Sequence, residues 1–249
     1  MTVTISDDQI ALRYPRTQAR RGHWFDERPM GPHVLWLAEH LAGVMSLEPG
    51  MRVLDLGCGR ATSSIFFAEE FGVQVWAADL WIKPTENLRR IEAAGLGERV
   101  FPIAAEAHAL PFAHGFFDAI VSLDAYHYFG TNDLYTAEVA RFLRPGGELG
   151  IVVPGLTTEL DELPGHLAPS WEPAFWSFHS PEWWRRHWNR SGAFGSVTAG
   201  LLPDGAALWE RWLELSADAG VGNEPERAML AADGGRALGF TWAVGTVPR

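Results

Sequence analysis

The chain has a single cysteine, Cys58, among 249 residues. One thiol excludes an internal disulfide and any cysteine-rich metal centre. The nine histidines lack the close spacing with carboxylates that a metal site needs, so no metal is expected. Positive charge is also scarce. The formal net charge is −11, which argues against nucleic acid as partner or substrate, because that affinity rests on neutralising phosphates. No run approaches the ~20 apolar residues a membrane helix requires, so no membrane partner is expected. The first residues, Thr2 to Asp8, are polar and acidic and do not resemble a signal peptide. A cytoplasmic protein is the expectation. What is plentiful is apolar and aromatic: 47% hydrophobic residues, enough for a full core, and 12 tryptophans, mostly in the second half.

The most informative stretch runs from Met51 to Ser64. Val53, Leu54 and Leu56 read as a buried strand that breaks at Gly57 and Gly59, where the backbone can bend tightly and approach a ligand. Thr62, Ser63 and Ser64 suit the start of a helix running on through Ala68. Such a start aims N–H groups and partial positive charge at the crevice. Asp55, at the strand end, would repel a pyrophosphate and welcome a cation. A dinucleotide turn also wants a third glycine or alanine where Thr62 stands.

The pattern Asp55-x-Gly57-x-Gly59 resembles motif I of the class I S-adenosylmethionine-dependent methyltransferases, with Ala61 at the usual third glycine. Their cofactor carries an ammonium and a sulfonium. Later segments extend the resemblance over residues 51–153. Val73 to Ala78 reads as a second strand ending at Asp79, an acid that can accept both ribose hydroxyls or cap the segment after it. Leu80 and Trp81 follow and can press on an adenine ring. A helix over Thr85–Ala94 and a third strand over Val100–Ala104 come next. The stretch Glu106-Ala107-His108-Ala109-Leu110-Pro111-Phe112 resembles the family's acid-Ala-x-x-Leu-Pro-Phe segment. By that resemblance Glu106 accepts from the adenine amino group and the Ala107 N–H meets a ring nitrogen. Phe116–Leu123 is a fourth strand, with Leu123 bordering the cofactor. Leu143-Arg144-Pro145-Gly146-Gly147 resembles the family's turn before a fifth strand, Glu148–Val153. Cys58 packs or offers its backbone to the cofactor.

The resemblance implies a Rossmann-like, doubly wound α/β sheet of seven strands in the order 3-2-1-4-5-7-6, the last antiparallel. Phe194–Gly200 and Leu238–Val247 are the sixth and seventh strands, with residues 205–236 inserted between them as one or two helices. A single domain over 1–249 is expected: an N-terminal helical lid (1–48), a cofactor-binding core (49–153) and a substrate cover with the last two strands (154–249). Residues 1–12 read as loosely held. Arg13 to Arg28 is a basic, aromatic segment, either a solvated element or a lid. A helix over Val34–Met45 and another opening at Ser180-Pro181 are predicted.

The acceptor should sit outside the ends of strands four and five. There stands Ser122-Leu123-Asp124-Ala125-Tyr126-His127-Tyr128. Asp124 orients or deprotonates the acceptor, or makes a structural hydrogen bond or a contact to the methionine ammonium. His127 is a candidate base, since its ordinary pKa lies near neutrality, or a packing residue. Tyr126 or Tyr128 donates to substrate or belongs to the core. His179 is a further candidate. The tryptophans pack the core and cover, or line an apolar or cationic pocket. The arginines at 13–28 are a contrary sign, suited to a substrate carboxylate. The expected activity is methyl transfer from S-adenosyl-L-methionine to a small-molecule acceptor, leaving S-adenosyl-L-homocysteine. Alternatives are cyclisation or cleavage of the sulfonium, lipid cyclopropanation, a non-catalytic cofactor sensor, or a nicotinamide-dependent oxidoreductase. A homodimer is left open.

Overall fold

A computed structural model describes residues 4–20, 31–221 and 223–249. Seven strands form one sheet in the order β3-β2-β1-β4-β5-β7-β6. They are β1 (Arg52–Leu56), β2 (Gln74–Asp79), β3 (Val100–Ala104), β4 (Phe117–Leu123), β5 (Leu143–Leu156), β6 (Ser196–Leu201) and β7 (Leu238–Thr246). The first five are mutually parallel, and β7 runs antiparallel between β5 and β6. Strand order and the reversed last strand agree with the sequence reading.

Alternation along β1 divides the core. Val53 faces a cluster with Val75, Val121 and Val152, closed by helices α1 (Asp7–Arg13), α3 (Val34–Val44), α4 (Thr62–Phe71), α5 (Pro84–Ala93), α8 (Gly205–Asp218) and α9 (Glu224–Asp233). Between α1 and α3 lies the single turn α2 (Pro15–Gln18). Leu54 and Leu56 face the other cluster, with Ile120, Ile151, Trp184 and Trp188, closed by α6 (Tyr135–Ala140) and α7 (Pro181–Ser191). In α7, Ser180 caps the Trp183 N–H and Pro181 opens the helix, as predicted. Trp184 and Trp188 have no exposed surface, so they are core rather than pocket lining.

Three elements differ from expectation. Residues near the N-terminus are not loosely held: Ser6 and Gln9 form a capping box on α1, Ile10 is buried, and Asp7 accepts from Arg211 of α8 at 2.8 Å. Strand β5 begins earlier than Glu148 because Leu143 pairs with Phe117 across an irregularity that absorbs the Pro-Gly-Gly turn. Helix α4 is entered through Ala61 in the left-handed conformation at φ 64°, not through a serine or threonine cap.

Two acids, the buried Asp233 and the exposed Glu159, tie segments after β5 and before β7 to their neighbours. Asp233, at the end of α9, accepts from the Ala237 and Leu238 N–H groups, and His166 Nε2 lies 3.0 Å from its carboxylate. Glu159 accepts from the Ser180 N–H and contacts His179, whose ring stacks on Trp183 at 3.6 Å. His179 is thereby a fastening of the cover to β5 and β7, its carbonyl accepting from Thr241 Oγ1.

Candidate active site

The strands β1, β2 and β4 end together, and the turn after β1 is built by its own backbone. Gly57 sits at φ 77° and Gly59 at φ 53°. The Gly57 and Cys58 N–H groups donate to the Ala78 carbonyl, and the Gly59 N–H donates to Asp79 Oδ2 at 2.9 Å. The turn is thus bound to the end of β2 before any ligand arrives. A Cβ on Gly57 would come within 2.5 Å of Ala125 Cβ, whereas one on Gly59 would meet nothing within 4 Å among the described residues. Open space therefore lies over Gly59, with a tight backbone approach beneath it.

Asp79 also accepts from the Trp81 and Ile82 N–H groups, both at 2.8 Å. One carboxylate so fixes the glycine turn and the start of the next segment; the capping alternative is met. The segment it fixes carries Leu80 and Trp81 outward, 61% and 77% exposed. Trp81 meets the half-exposed Tyr128 edge to face at 6.4 Å. Glu106 is exposed, and His108 donates to it from its backbone and contacts it through Nδ1, which lowers the Glu106 pKa. The Ala107 carbonyl accepts from Tyr135 Oη. Leu123 is buried at the end of β4. Cys58 is buried, and burial pushes its thiol pKa well up.

Asp55 requires a correction. The sequence reading gave it to the cationic end of the cofactor, but it has no exposed surface. Ser63 Oγ and Ser64 Oγ both donate to its Oδ2 at 2.6 Å, and its Oδ1 has no partner. The serines placed at the helix start thus serve the acid beneath it, and Asp55 holds α4 to β1. Burial pushes its pKa up to about 6, against the two serine hydroxyls that lower it. A carboxyl that binds its proton more tightly folded than unfolded contributes stability that is lost as pH rises through the folded value. Stability of the wild type should therefore fall between about pH 4 and pH 6–7 relative to Asp55→Asn. Chemical denaturation across that window measures it, and parallel curves would place the charge elsewhere.

Tyr126 is the second correction. It is fully buried among Tyr135, Trp184 and Trp188 in the core on the far side of the sheet, and cannot reach a substrate. His127 is 2% exposed, its Nδ1 has no hydrogen-bond partner among the described residues, and burial lowers its pKa to about 3. It is a neutral imidazole at working pH, poorly matched to proton abstraction.

Asp124 stands apart. Its φ is 52°, a left-handed conformation uncommon outside glycine and tolerated best by Asp and Asn. Its N–H continues the β4 ladder to the Val152 carbonyl, and the turned backbone then presents the carboxyl beside Gly31 and Phe240. Burial raises its pKa well above the carboxylate range, and the nearby Glu226 carboxylate adds to the rise. Glu226, on α9, accepts from Trp209 Nε1 at 2.9 Å, and Trp209 packs edge-on against Phe240 at 5.2 Å. Sequence reasoning gave Glu226 and Glu172 no role in the site.

The basic N-terminal segment offers no anion site through its described members. Arg13 pairs with Asp204, Arg16 with Glu70, and Arg20 with Glu69 and Glu70. Arg21, His23, Trp24, Phe25 and Arg28 lie outside the described residues. Among the described residues no group of side chains has the makings of a metal site, and no helix is long and apolar enough to cross a membrane.

A parallel sheet whose seventh strand turns back between the fifth and sixth is the Rossmann-like fold of the methyltransferases. The chain is matched over residues 53–147 by the family described as methyltransferase domain. It is similar to the 27-O-demethylrifamycin SV methyltransferase of Amycolatopsis mediterranei, 32% identical over 132 residues, which cover 52% of this chain and 48% of that protein. The chain thus spans about half the length of the first curated relatives it matches. In fold it is similar to a putative sarcosine dimethylglycine methyltransferase from Galdieria sulphuraria, with TM-score 0.67 and 20% identity over 86% of this chain and 84% of that one. It is also similar to a Haemonchus contortus phosphoethanolamine N-methyltransferase 2 in complex with S-adenosylhomocysteine, with TM-score 0.74 and 17% identity over 99% of this chain and 61% of that one.

Proposed function

We propose that the protein transfers a methyl group from S-adenosyl-L-methionine to a small-molecule acceptor. The observation that carries this reading is the open space over Gly59, in the turn whose N–H donates to Asp79. The cofactor supplies a methyl on a sulfonium. Around it, Gly57, Cys58 and Gly59 give close backbone approach. Asp79 keeps one acceptor site, on Oδ2, for a ribose hydroxyl beyond its three backbone bonds. Leu80 and Trp81 cover the base, and Glu106 and the Ala107 N–H read its polar edge. Asp55 acts from beneath, by holding the turn.

On the acceptor side Asp124 orients the acceptor and takes its proton, since its raised pKa makes it a better base than an ordinary carboxylate. His127 contributes a neutral hydrogen-bonding edge. The described residues of the N-terminal segment and of the chain after β5 cover the site within one domain. Alignment and exclusion of water then carry much of the acceleration, roughly 7–11 kcal/mol where alignment is complete. Acid composition and the lack of a free basic patch among the described residues suit a small molecule rather than nucleic acid.

Calorimetric titration with S-adenosylhomocysteine tests the cofactor, and mass spectrometry of products tests the reaction. An acceptor heavier by one methylene unit is expected. Rearranged product without that gain would favour cyclisation, and preference for a nicotinamide dinucleotide would overturn the proposal. Trp81→Ala should weaken S-adenosylhomocysteine by about 1 kcal/mol, the scale of one ring contact, with little change in melting temperature because the side chain is exposed.

A further inference from the structure

Helix α5 buries two side chains one turn apart, Asn87 and Ile91. Ile91 is what a packing face calls for. Asn87 is not. It is 1% exposed and a poor helix former, and an amide taken out of water costs free energy unless its hydrogen bonds are made. Both ends of this amide are engaged. Nδ2 donates to the Gly59 carbonyl at 2.9 Å and faces Cys58 Sγ at 3.9 Å. Oδ1 accepts from Arg90 Nη1 at 2.9 Å. Arg can only donate, so it selects the oxygen end of the amide and leaves the N–H end for the turn.

The bond to Gly59 completes a grip on the turn after β1. The peptide joining Cys58 to Gly59 is held at both ends: its N–H donates to Asp79 Oδ2 at 2.9 Å, and its carbonyl accepts from the Ala61 N–H at 2.9 Å. The next peptide, Gly59 to Arg60, has its carbonyl held by Asn87, with the Cys58 thiol a weaker donor to the same oxygen at 3.7 Å. Gly59 lies at φ 53°, and a Cβ there would meet nothing within 4 Å among the described residues. No side chain on Gly59 restrains rotation of the peptide that follows it, and such a rotation exchanges the directions of its carbonyl and N–H. Asp79 does the companion task from β2. Through the Trp81 and Ile82 N–H groups it also anchors the segment leading into α5. The bonds thus run from the turn to β2, on to α5, and back to the turn.

We propose that Asn87 is a positioning residue for the cofactor: by holding the Gly59 carbonyl it presets the turn that receives S-adenosylmethionine. The proposal rests on the methyltransferase reading and adds to its site a residue that acts through the backbone. A turn already fixed loses less conformational freedom when the ligand arrives, and the affinity gains by that difference.

Asn87→Asp isolates the donor. It keeps the shape and the acceptor for Arg90, and sets a carboxylate oxygen against the Gly59 carbonyl in place of the N–H. S-adenosylhomocysteine is titrated calorimetrically into the full chain. At about pH 8 this variant is expected to bind about tenfold more weakly than the wild type, the scale of one buried hydrogen bond. As pH falls to about 5 the buried carboxyl takes up a proton and can donate again, so the ratio to the wild type at the same pH should return to within about threefold. Asn87→Leu donates at no pH and should keep its deficit throughout. Ile91→Val loosens the same buried face and removes no hydrogen bond, so it should bind within about twofold of the wild type. In the ligand-free chain, hydrogen exchange over residues 57–61 should quicken in Asn87→Leu and not in Ile91→Val. Wild-type affinity or unchanged exchange in Asn87→Leu overturns the assignment, and so does a deficit in Asn87→Asp that does not shrink on acidification. An equal loss in Ile91→Val would make Asn87 ordinary packing. Failure of the wild type to bind S-adenosylhomocysteine would instead overturn the methyltransferase reading beneath it.

Discussion

Asp124→Asn is expected to lower turnover at least ~100-fold while S-adenosylhomocysteine binds as before. The substitution is chosen for the backbone. Asn tolerates the left-handed conformation that Asp124 adopts at φ 52°, so the end of β4 keeps its shape and only the ionisable group is lost. Alanine would confound the result by straining that turn. The pH profile makes the assignment specific. Burial and the facing Glu226 hold the Asp124 proton well above the usual carboxylate range. The acceptor step therefore gains as pH rises through that ionisation, because only the deprotonated form takes a proton. His127, lowered to about 3, stays neutral across the range, and Tyr128, raised, stays protonated below it. The rising limb should belong to Asp124, with Glu226 contributing through its charge, and should vanish in Asp124→Asn. A variant that keeps both its rate and its rising limb would make Asp124 a structural residue.

Gly57→Ala is the second large effect. Two penalties coincide there. A side chain at φ 77° is strained by itself, and the new Cβ would lie 2.5 Å from Ala125 Cβ. Strain and overpacking together should cost about 2–4 kcal/mol of stability and abolish binding of S-adenosylhomocysteine. The clash is the separable part. Adding Ala125→Gly removes the opposing methyl and should restore roughly the steric share, leaving the backbone share in place. Gly59→Ala at φ 53° meets nothing within 4 Å, so it should cost less stability than Gly57→Ala yet still obstruct the ligand space. Equal destabilisation by the two would mean that the contact with Ala125 is relieved by a shift of the chain.

The sheet could be read from the sequence because its strands are short apolar runs ended by glycine, proline or an acid, a local signal. Strand β2, ended by Asp79, shows it well, and Ser180-Pro181 gives the matching local signal for α7. What escaped was decided by partners far along the chain. The early start of β5 depends on Phe117 pairing with Leu143, which no window around Leu143 contains. At Asp55 the charge was visible but its neighbours were not. Ser63 and Ser64 fall beneath it only once α4 folds back over β1, and an acid that reads as a ligand becomes a fastening. Asp124 and Tyr126 stand two residues apart and were treated alike. The left-handed turn at Asp124 separates them, sending Tyr126 into the core and leaving the carboxyl in the chamber. Glu226 was missed because helix-start acids are ordinary; its approach to Asp124 comes from the docking of α8 on β7 through Trp209 and Phe240.

That docking has a wider consequence. Helices α8 and α9 lie wholly inside the connection between β6 and β7, two strands that pair with each other whatever joins them. Lengthening such a connection costs only about 0.6 kcal/mol per doubling. The hairpin of helices that carries Glu226 packs Leu208, Trp212, Leu213 and Leu230 into the core, so only its positions outside that core can be exchanged with little disturbance to the sheet. Diversity among descendants of this scaffold should accordingly concentrate there, and transplanting residues 202–237 between such proteins should move the preference for acceptor along with the graft.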